Sequence, residues 1–365
     1  MNNPANQLHA SGQSLWLDSM SRNLLRSGTL SRYIKNFSIS GLTFNQGAFS
    51  LALEQEDTYD ASIRLLNTAG FSAEDIFYEL VLEDIAEAAV LFRPIYDSTN
   101  GRDGWVSLEV SPLLNNNTLH IVQAATKLFA KAAKANLLVA IIATSEGLRA
   151  AEELVYSGIP VNFSLLFSSE HYLAAGEAYM RGLERRIATG LSPVVESVAS
   201  LCVSPWDANI DLELASPLHH RLAITMATRT YHTHCELMHS ERWQKLAAAG
   251  ARPQRLLWSR TGVNDAAIND TLYIQSLVAS GTINAMPAAT LLAFAGHGRI
   301  GAPMPADGGY AEAVLDEFRR EGIDETRLAV CLQRKSIEDA TSSWYTTLTT
   351  IREKSSQEIS SSTCA

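Results

Sequence analysis

A chain of 365 residues, 46% of them apolar, has ample material for one large core. Its formal charge of −10, with the basic residues scattered, argues against a nucleic-acid surface or an anionic membrane as partner. No run reaches the roughly 18 to 20 apolar residues of a membrane span, and the start "MNNPANQLHASGQ" lacks the basic and apolar regions of a secretory leader, so a cytoplasmic location is expected. Cys202, Cys235, Cys331 and Cys364 fall at unrelated spacings with no CxxC pair. Reduced thiols are therefore expected, and neither a disulfide framework nor a structural zinc site is implied.

In chain order, the strand candidates are "SLWLD" (14–18), "SISGLTF" (38–44), "WVSLEV" (105–110), "NLLVAIIA" (136–143), "IPVNFSLLF" (159–167), "VESVASLCV" (195–203), "RLLWS" (255–259) and "GTINAM" (281–286). Between them lie patterns such as "TLHIVQAATKLFAKAAKA" (118–135) and "SEHYLAAGEAYMRGLERRIATG" (169–190), whose apolar residues recur at helical spacing between Ser or Gly caps. Strands alternating with helices predict an α/β fold with a parallel sheet, and eight runs predict a closed barrel. A single domain is expected over 1–351. The Ser-rich "REKSSQEISSSTCA" (352–365) reads as a frayed, disordered tail.

Strand side chains alternate in direction, and one parity of these strands is regularly polar. Trp16 and Asp18 share a side, as do Thr43 and Asn45, and Ser107 and Glu109. Asn162 and Ser164, then Ser200, Cys202 and Ser204, then Thr282 and Asn284 repeat the pattern. In a parallel barrel such positions face inward, and those late in each strand meet at the C-terminal mouth, where a small-molecule substrate is bound. Asp18 and Glu109 form a candidate proton-transfer pair, one carboxyl kept neutral by burial while an ionised partner accepts.

The stretches "SLWLDSMSR" (14–22), "GLTFNQGAF" (41–49), "YDSTNGRDGWVSLEVSPLL" (96–114), "ATSEGLRA" (143–150), "GIPVNFSLLFSSEHY" (158–172), "AYMRGLERR" (178–186), "GARPQRLLWSRTGV" (250–263) and "DTLYIQSLVASGTINAMPAATLLAF" (270–294) resemble the transaldolase family in its longer bacterial form. The resemblance implies a (β/α)8 TIM barrel of the class I aldolase-like type. It also implies proton transfer by Asp18 and Glu109, and substrate or water positioning by Asn45, Asn162, Ser164 and Ser200, with Ser164 replacing a usual threonine. No cofactor and no metal are implied.

The family's fourth strand usually reads Lys-Ile-Pro-Ala-Thr, its lysine forming a Schiff base with a ketose phosphate, and this chain has Ala140-Ile141-Ile142-Ala143-Thr144. A methyl group cannot form an imine, and no lysine occurs between Lys134 and Lys245. Lys35, Lys127, Lys131, Lys134, Lys245, Lys335 and Lys354 read as exposed helix lysines or lie beyond the last strand. Where the family shows Ser-Arg after the sixth strand, this chain has Ser204-Pro205-Trp206. The family's Ala-Ser-Thr-Gly-Val-Lys is Ser259-Arg260-Thr261-Gly262-Val263-Asn264, and its Thr-Ser-Asn-Pro is Thr43-Phe44-Asn45-Gln46.

These departures lead to the expectation of an enzyme that has left Schiff-base transfer for acid–base chemistry, such as isomerisation, dehydration, cyclisation or lysine-independent aldol-type reaction. Its ligand is expected to be a less phosphorylated, more apolar specialised metabolite, bound by Thr43, Phe44, Asn45, Asn162, Ser164, Ser200, Trp206 and Arg260. Two alternatives stay open: a genuine transaldolase using a relocated amine, and a non-catalytic binding or regulatory protein. A homo-oligomer is compatible with the sequence. "YHTHCELMH" (231–239) places His232, Cys235 and His239 on one side of a helix and reads as a solvated amphipathic face rather than a metal site; "GHGRIGAP" (296–303) reads as a loop.

Overall fold

Eight parallel strands close a barrel in chain order: β1 (Ser14–Leu17), β2 (Ile39–Thr43), β3 (Val106–Glu109), β4 (Leu137–Ile142), β5 (Val161–Leu166), β6 (Ser197–Cys202), β7 (Arg255–Ser259) and β8 (Ile283–Met286). The computed structural model describes residues 3–210, 218–263 and 268–356. Each strand falls within the run read for it, trimmed at the ends where the chain turns into loops. The helices Thr118–Ala132 and Ser169–Ala188 begin where expected, each under a side-chain cap from Asn117 or Ser168. No helix among the described residues is long and apolar enough to cross a membrane.

Two apolar layers result. The larger joins the outward strand residues to the surrounding helices, and a smaller one, including Trp16, Trp105, Leu138, Val198, Leu257, Ile283 and Ala285, fills the barrel interior. Trp16 needs room there: a Cβ on Gly41 would lie 2.5 Å from its indole ring, so only glycine fits opposite it on β2. Beyond this plug toward the C-terminal mouth, the inward positions turn polar.

The eighth strand corrects the sequence reading. Trp16 pairs with Ala285 and Leu15 with Asn284, so Ile283 and Ala285 face inward and Thr282 and Asn284 face the helices. There the Thr261 hydroxyl donates to Asn284 Oδ1 (3.1 Å) and Gln13 Nε2 donates to Thr282 Oγ1 (2.8 Å). Thr282 is hydrogen-bonded there, while Asn284 accepts through Oδ1 and its buried Nδ2 has no partner among the described residues. Periodicity identifies two parities but not which one is inside when both carry small residues.

The last helix among the described residues, Glu325–Ser356, is long and is begun by Asp324, whose Oδ1 accepts from Arg327 N (2.9 Å). It runs five residues into the stretch expected to be a tail, because Ile351 and Lys354 are buried in it and Lys354 Nζ bonds Asp60 Oδ1 (2.7 Å). Residues 357–365, Cys364 among them, lie outside the described residues, as does Asn264. The helix crosses the C-terminal mouth. Gln333 Nε2 donates to the carbonyls of Leu165 (3.0 Å) and Ala143 (3.3 Å) at the ends of β5 and β4, and Thr347 accepts from Gln46 Nε2 (2.7 Å) after β2.

Candidate active site

A cavity of about 310 Å³ opens at this mouth, walled by the ends of the strands and roofed by the last helix. Asp18, immediately after β1, accepts from Thr43 Oγ1 on Oδ1 (2.8 Å) and from Asn45 Nδ2 on Oδ2 (3.4 Å). Asn45 is itself fixed as the N-cap of helix Gln46–Gln55, its Oδ1 accepting from Ala48 N (3.0 Å). Burial raises the Asp18 carboxyl above its ordinary value and outweighs the Thr43 and Asn45 bonds and the Arg260 charge that oppose it.

The side chain of Glu109, at the end of β3, has no hydrogen-bond partner among the described residues. Its carboxyl is pushed up to about 7, first by burial and then by the Asp18 charge, with Arg260 opposing. Glu109 therefore takes up or releases its proton near neutrality, with the Asp18 charge contributing to the upward shift.

A second network stands opposite. Asn162 on β5 donates from Nδ2 to Ser107 Oγ (3.1 Å) and accepts from Ser200 Oγ on Oδ1 (2.7 Å), tying β3, β5 and β6 together through their inward side chains. Ser164 lines the cavity one pleat further along β5. Ala140 lies in the same ring: its register partners are Glu109 on one side and Asn162 on the other. Its methyl group occupies the centre of the polar wall, and no lysine is among the described residues lining the cavity.

Arg260 is aimed by its backbone. It adopts φ +53°, a left-handed conformation uncommon for a non-glycine residue, and Nη1 reaches Ser336 Oγ (3.1 Å) on the capping helix. It is the one cationic side chain among the described residues that line the cavity. Phe44 also lines the cavity, its ring packed on Phe49 and Phe77 with centroids 5.5 and 6.1 Å away.

Trp206 was expected at the mouth, and the structure corrects this. It is fully buried, its indole N–H donating to Phe167 O (3.1 Å), and it does not line the cavity. Ser204 is likewise outside the lining. The sequence reading missed the roof: Asp339, Ala340, Ser343 and Trp344 of the last helix line the cavity. Their signal was helical spacing, since Ser336, Asp339, Ser343 and Thr347 recur every three to four residues. Gln46 and Ser259 were also missed, whereas Ser107 and Cys202 were legible by parity.

Among the described residues no group of three or more His, Cys, Asp or Glu side chains could hold a metal ion. In the helix Leu222–His239, His232 Nδ1 pairs with Ala306 O (2.9 Å) and His239 Nδ1 with Cys235 O (2.6 Å).

The family model for transaldolase/fructose-6-phosphate aldolase matches residues 15–351. This chain belongs to that family. A transaldolase of Saccharopolyspora erythraea is 39% identical over 357 residues, covering 96% of this chain and 97% of that protein. One of Thermobifida fusca is 39% identical over 353 residues, 94% of this chain and 96% of that protein. Transaldolase 2 of Nostoc punctiforme is 35% identical over 347 residues, 86% of this chain and 91% of that protein.

These relatives overturn the expectation of a barrel diverted to acid–base chemistry on an apolar metabolite. Similarity to proteins named transaldolase runs nearly from end to end. One of the two aromatic residues behind the apolar expectation, Trp206, lies outside the cavity, whose walls mix hydroxyl, amide and carboxyl groups with apolar side chains such as Ile142, Leu165 and Leu257.

Proposed function

We propose that the chain catalyses transaldol transfer, in which a three-carbon ketol unit leaves a ketose phosphate by carbon–carbon cleavage and adds to an aldose phosphate. The observation that carries this reading is the near full-length similarity to proteins named transaldolase. The mouth cavity supports it, with two partly buried carboxyls of raised proton affinity, a ring of hydroxyl and amide groups, and a single arginine among the described lining residues. Arg260 suits the phosphate, and Thr43, Asn45, Asn162, Ser164 and Ser200 suit the hydroxyl and carbonyl groups of the sugar, with Phe44 as an apolar wall.

A buried carboxyl of raised pKa is a stronger base once ionised. Asp18, held by Thr43 and Asn45, is assigned the hydroxyl proton whose removal drives carbon–carbon cleavage. Glu109, titrating near neutrality, is assigned the proton that water carries away as the carbonyl condenses with an amine.

In this reading Ala140 stands at the family's lysine position and the amine comes from elsewhere. Lys335 of the capping helix is the candidate. It precedes Ser336, the partner of Arg260, and lies one turn before Asp339 in the cavity roof; its Nζ donates to Asn209 Oδ1 (2.9 Å) after β6. Lys335 is exposed and outside the cavity lining, so its Nζ has to leave Asn209 and turn inward to meet the substrate carbonyl.

The test is transfer from fructose 6-phosphate to erythrose 4-phosphate by clean protein, with borohydride reduction and mapping of the modified peptide. Turnover with an adduct on Lys335, both lost in Lys335→Ala, is expected. Neither transfer nor adduct in the wild type would overturn the proposed function, and an adduct on another lysine would overturn the assignment of Lys335.

A further inference from the structure

We propose that Asp339 and Ser343 of the capping helix bind hydroxyl groups of the ketose chain and set the preference for long hydroxylated substrates, an inference that rests on the transfer reading above. The two stand one helical turn apart on the face that roofs the cavity. Neither side chain has a hydrogen-bond or ion-pair partner among the described residues. Beside them the buried indole N–H of Trp344 also lacks an acceptor.

The barrel walls differ. There Asp18 is held by Thr43 and Asn45, and Asn162 by Ser107 and Ser200. The polar side chains of the lining left open to a ligand are thus Asp339 and Ser343 on the roof and Glu109 and Ser164 on the walls.

Their chemistry narrows what they meet. A carboxylate accepts only, so Asp339 calls for O–H donors, while the Ser343 hydroxyl can donate or accept. With Asp18 and Glu109 below and Arg260 the sole cation of the lining, a second phosphate against the roof would meet like charge. The part of the ligand against Asp339 and Ser343 is neutral and hydroxyl-rich, and the phosphate lies with Arg260. Since the roof grips the chain away from the bond that breaks, it acts on binding more than on the chemical step.

The experiment compares wild type with the double variant Asp339→Ala/Ser343→Ala. Fructose 6-phosphate affinity is measured by calorimetry, steady-state transfer is followed, and glycerol 3-phosphate serves as a short competitive inhibitor. The double variant should bind fructose 6-phosphate roughly ten- to a hundredfold more weakly, as expected for lost bonds to a charged group. KM should rise in parallel, while kcat, inhibition by glycerol 3-phosphate and the melting temperature change little. The single variants, each carrying part of the loss, answer the question if the double variant melts early. Unchanged affinity, or an equal loss for the short and long ligands, would overturn the role of the roof alone. Wild-type protein that neither binds nor transfers fructose 6-phosphate would overturn this inference together with the proposed function.

Discussion

Glu109 links stability to pH in a direction that can be worked out. Its folded carboxyl titrates at about 7 against an ordinary 4.5, so the folded state holds the proton more tightly than the unfolded chain does. The contribution to stability is fully present below about pH 4.5 and is lost as pH rises through about 7. Glu109→Gln removes the titration, and its stability relative to wild type should grow across that window by at most about 1.4 kcal/mol per pH unit. Parallel melting curves at several pH values check this, and a stability gap that is independent of pH would refute it. In transfer assays, Asp18→Asn and Glu109→Gln should each lower turnover by roughly 10²- to 10⁴-fold, the usual contribution of a positioned acid or base, without loss of fold.

Among the elements, the capping helix decides most about the cavity, because it brings a wall that the strands lack. Its attachment is local and can be tested. Gln333 satisfies the carbonyls of Ala143 and Leu165, and Leu165 itself has φ +58°. Backbone in that conformation at a strand end leaves the ladder and needs another partner for its polar groups. Gln333→Ala should therefore lower stability by about 1 to 3 kcal/mol, two net hydrogen bonds, and raise KM as the roof loosens. Denaturant unfolding beside steady-state kinetics reads both effects. A variant as stable as wild type would show that the apolar contacts of Trp344, Leu348 and Ile351 hold the helix without the latch.

For the whole molecule, the two ends of the barrel carry different duties. At the N-terminal end Asp103 accepts from Trp16 Nε1 (2.8 Å), Ser40 Oγ (2.9 Å) and Ser14, and lies 3.9 Å from the buried Arg255. That network sits beneath the Trp16 plug, away from the cavity, where residues of this architecture serve stability. Asp103→Ala leaves those donors and Arg255 uncompensated and should cost roughly 3 to 5 kcal/mol. The fraction that stays folded should turn over as wild type does. Loss of turnover per folded molecule would show that the plug transmits strain to the mouth.

Much of this was legible in the residues. Alternation of apolar runs with helical patterns was enough for a closed (β/α)8 barrel, since strands buried on both faces and helices buried on one leave different periodicities. Asp18, Thr43, Asn45, Glu109, Asn162, Ser164 and Ser200 were readable as a convergent set because strand parity and position along the strand together determine direction and depth. Identity at position 140 is also a property of the sequence alone. Tertiary structure decided which parity of β8 faces inward, because Thr282 and Asn284 find partners on the helix side. It also put Trp206 in the core and brought Asp339, Ser343 and Trp344 over the mouth. Those three lie more than 50 residues after β8. Local periodicity reports that a helix has a buried face but not which surface covers it, and here only packing of the last helix across the strand ends determines that.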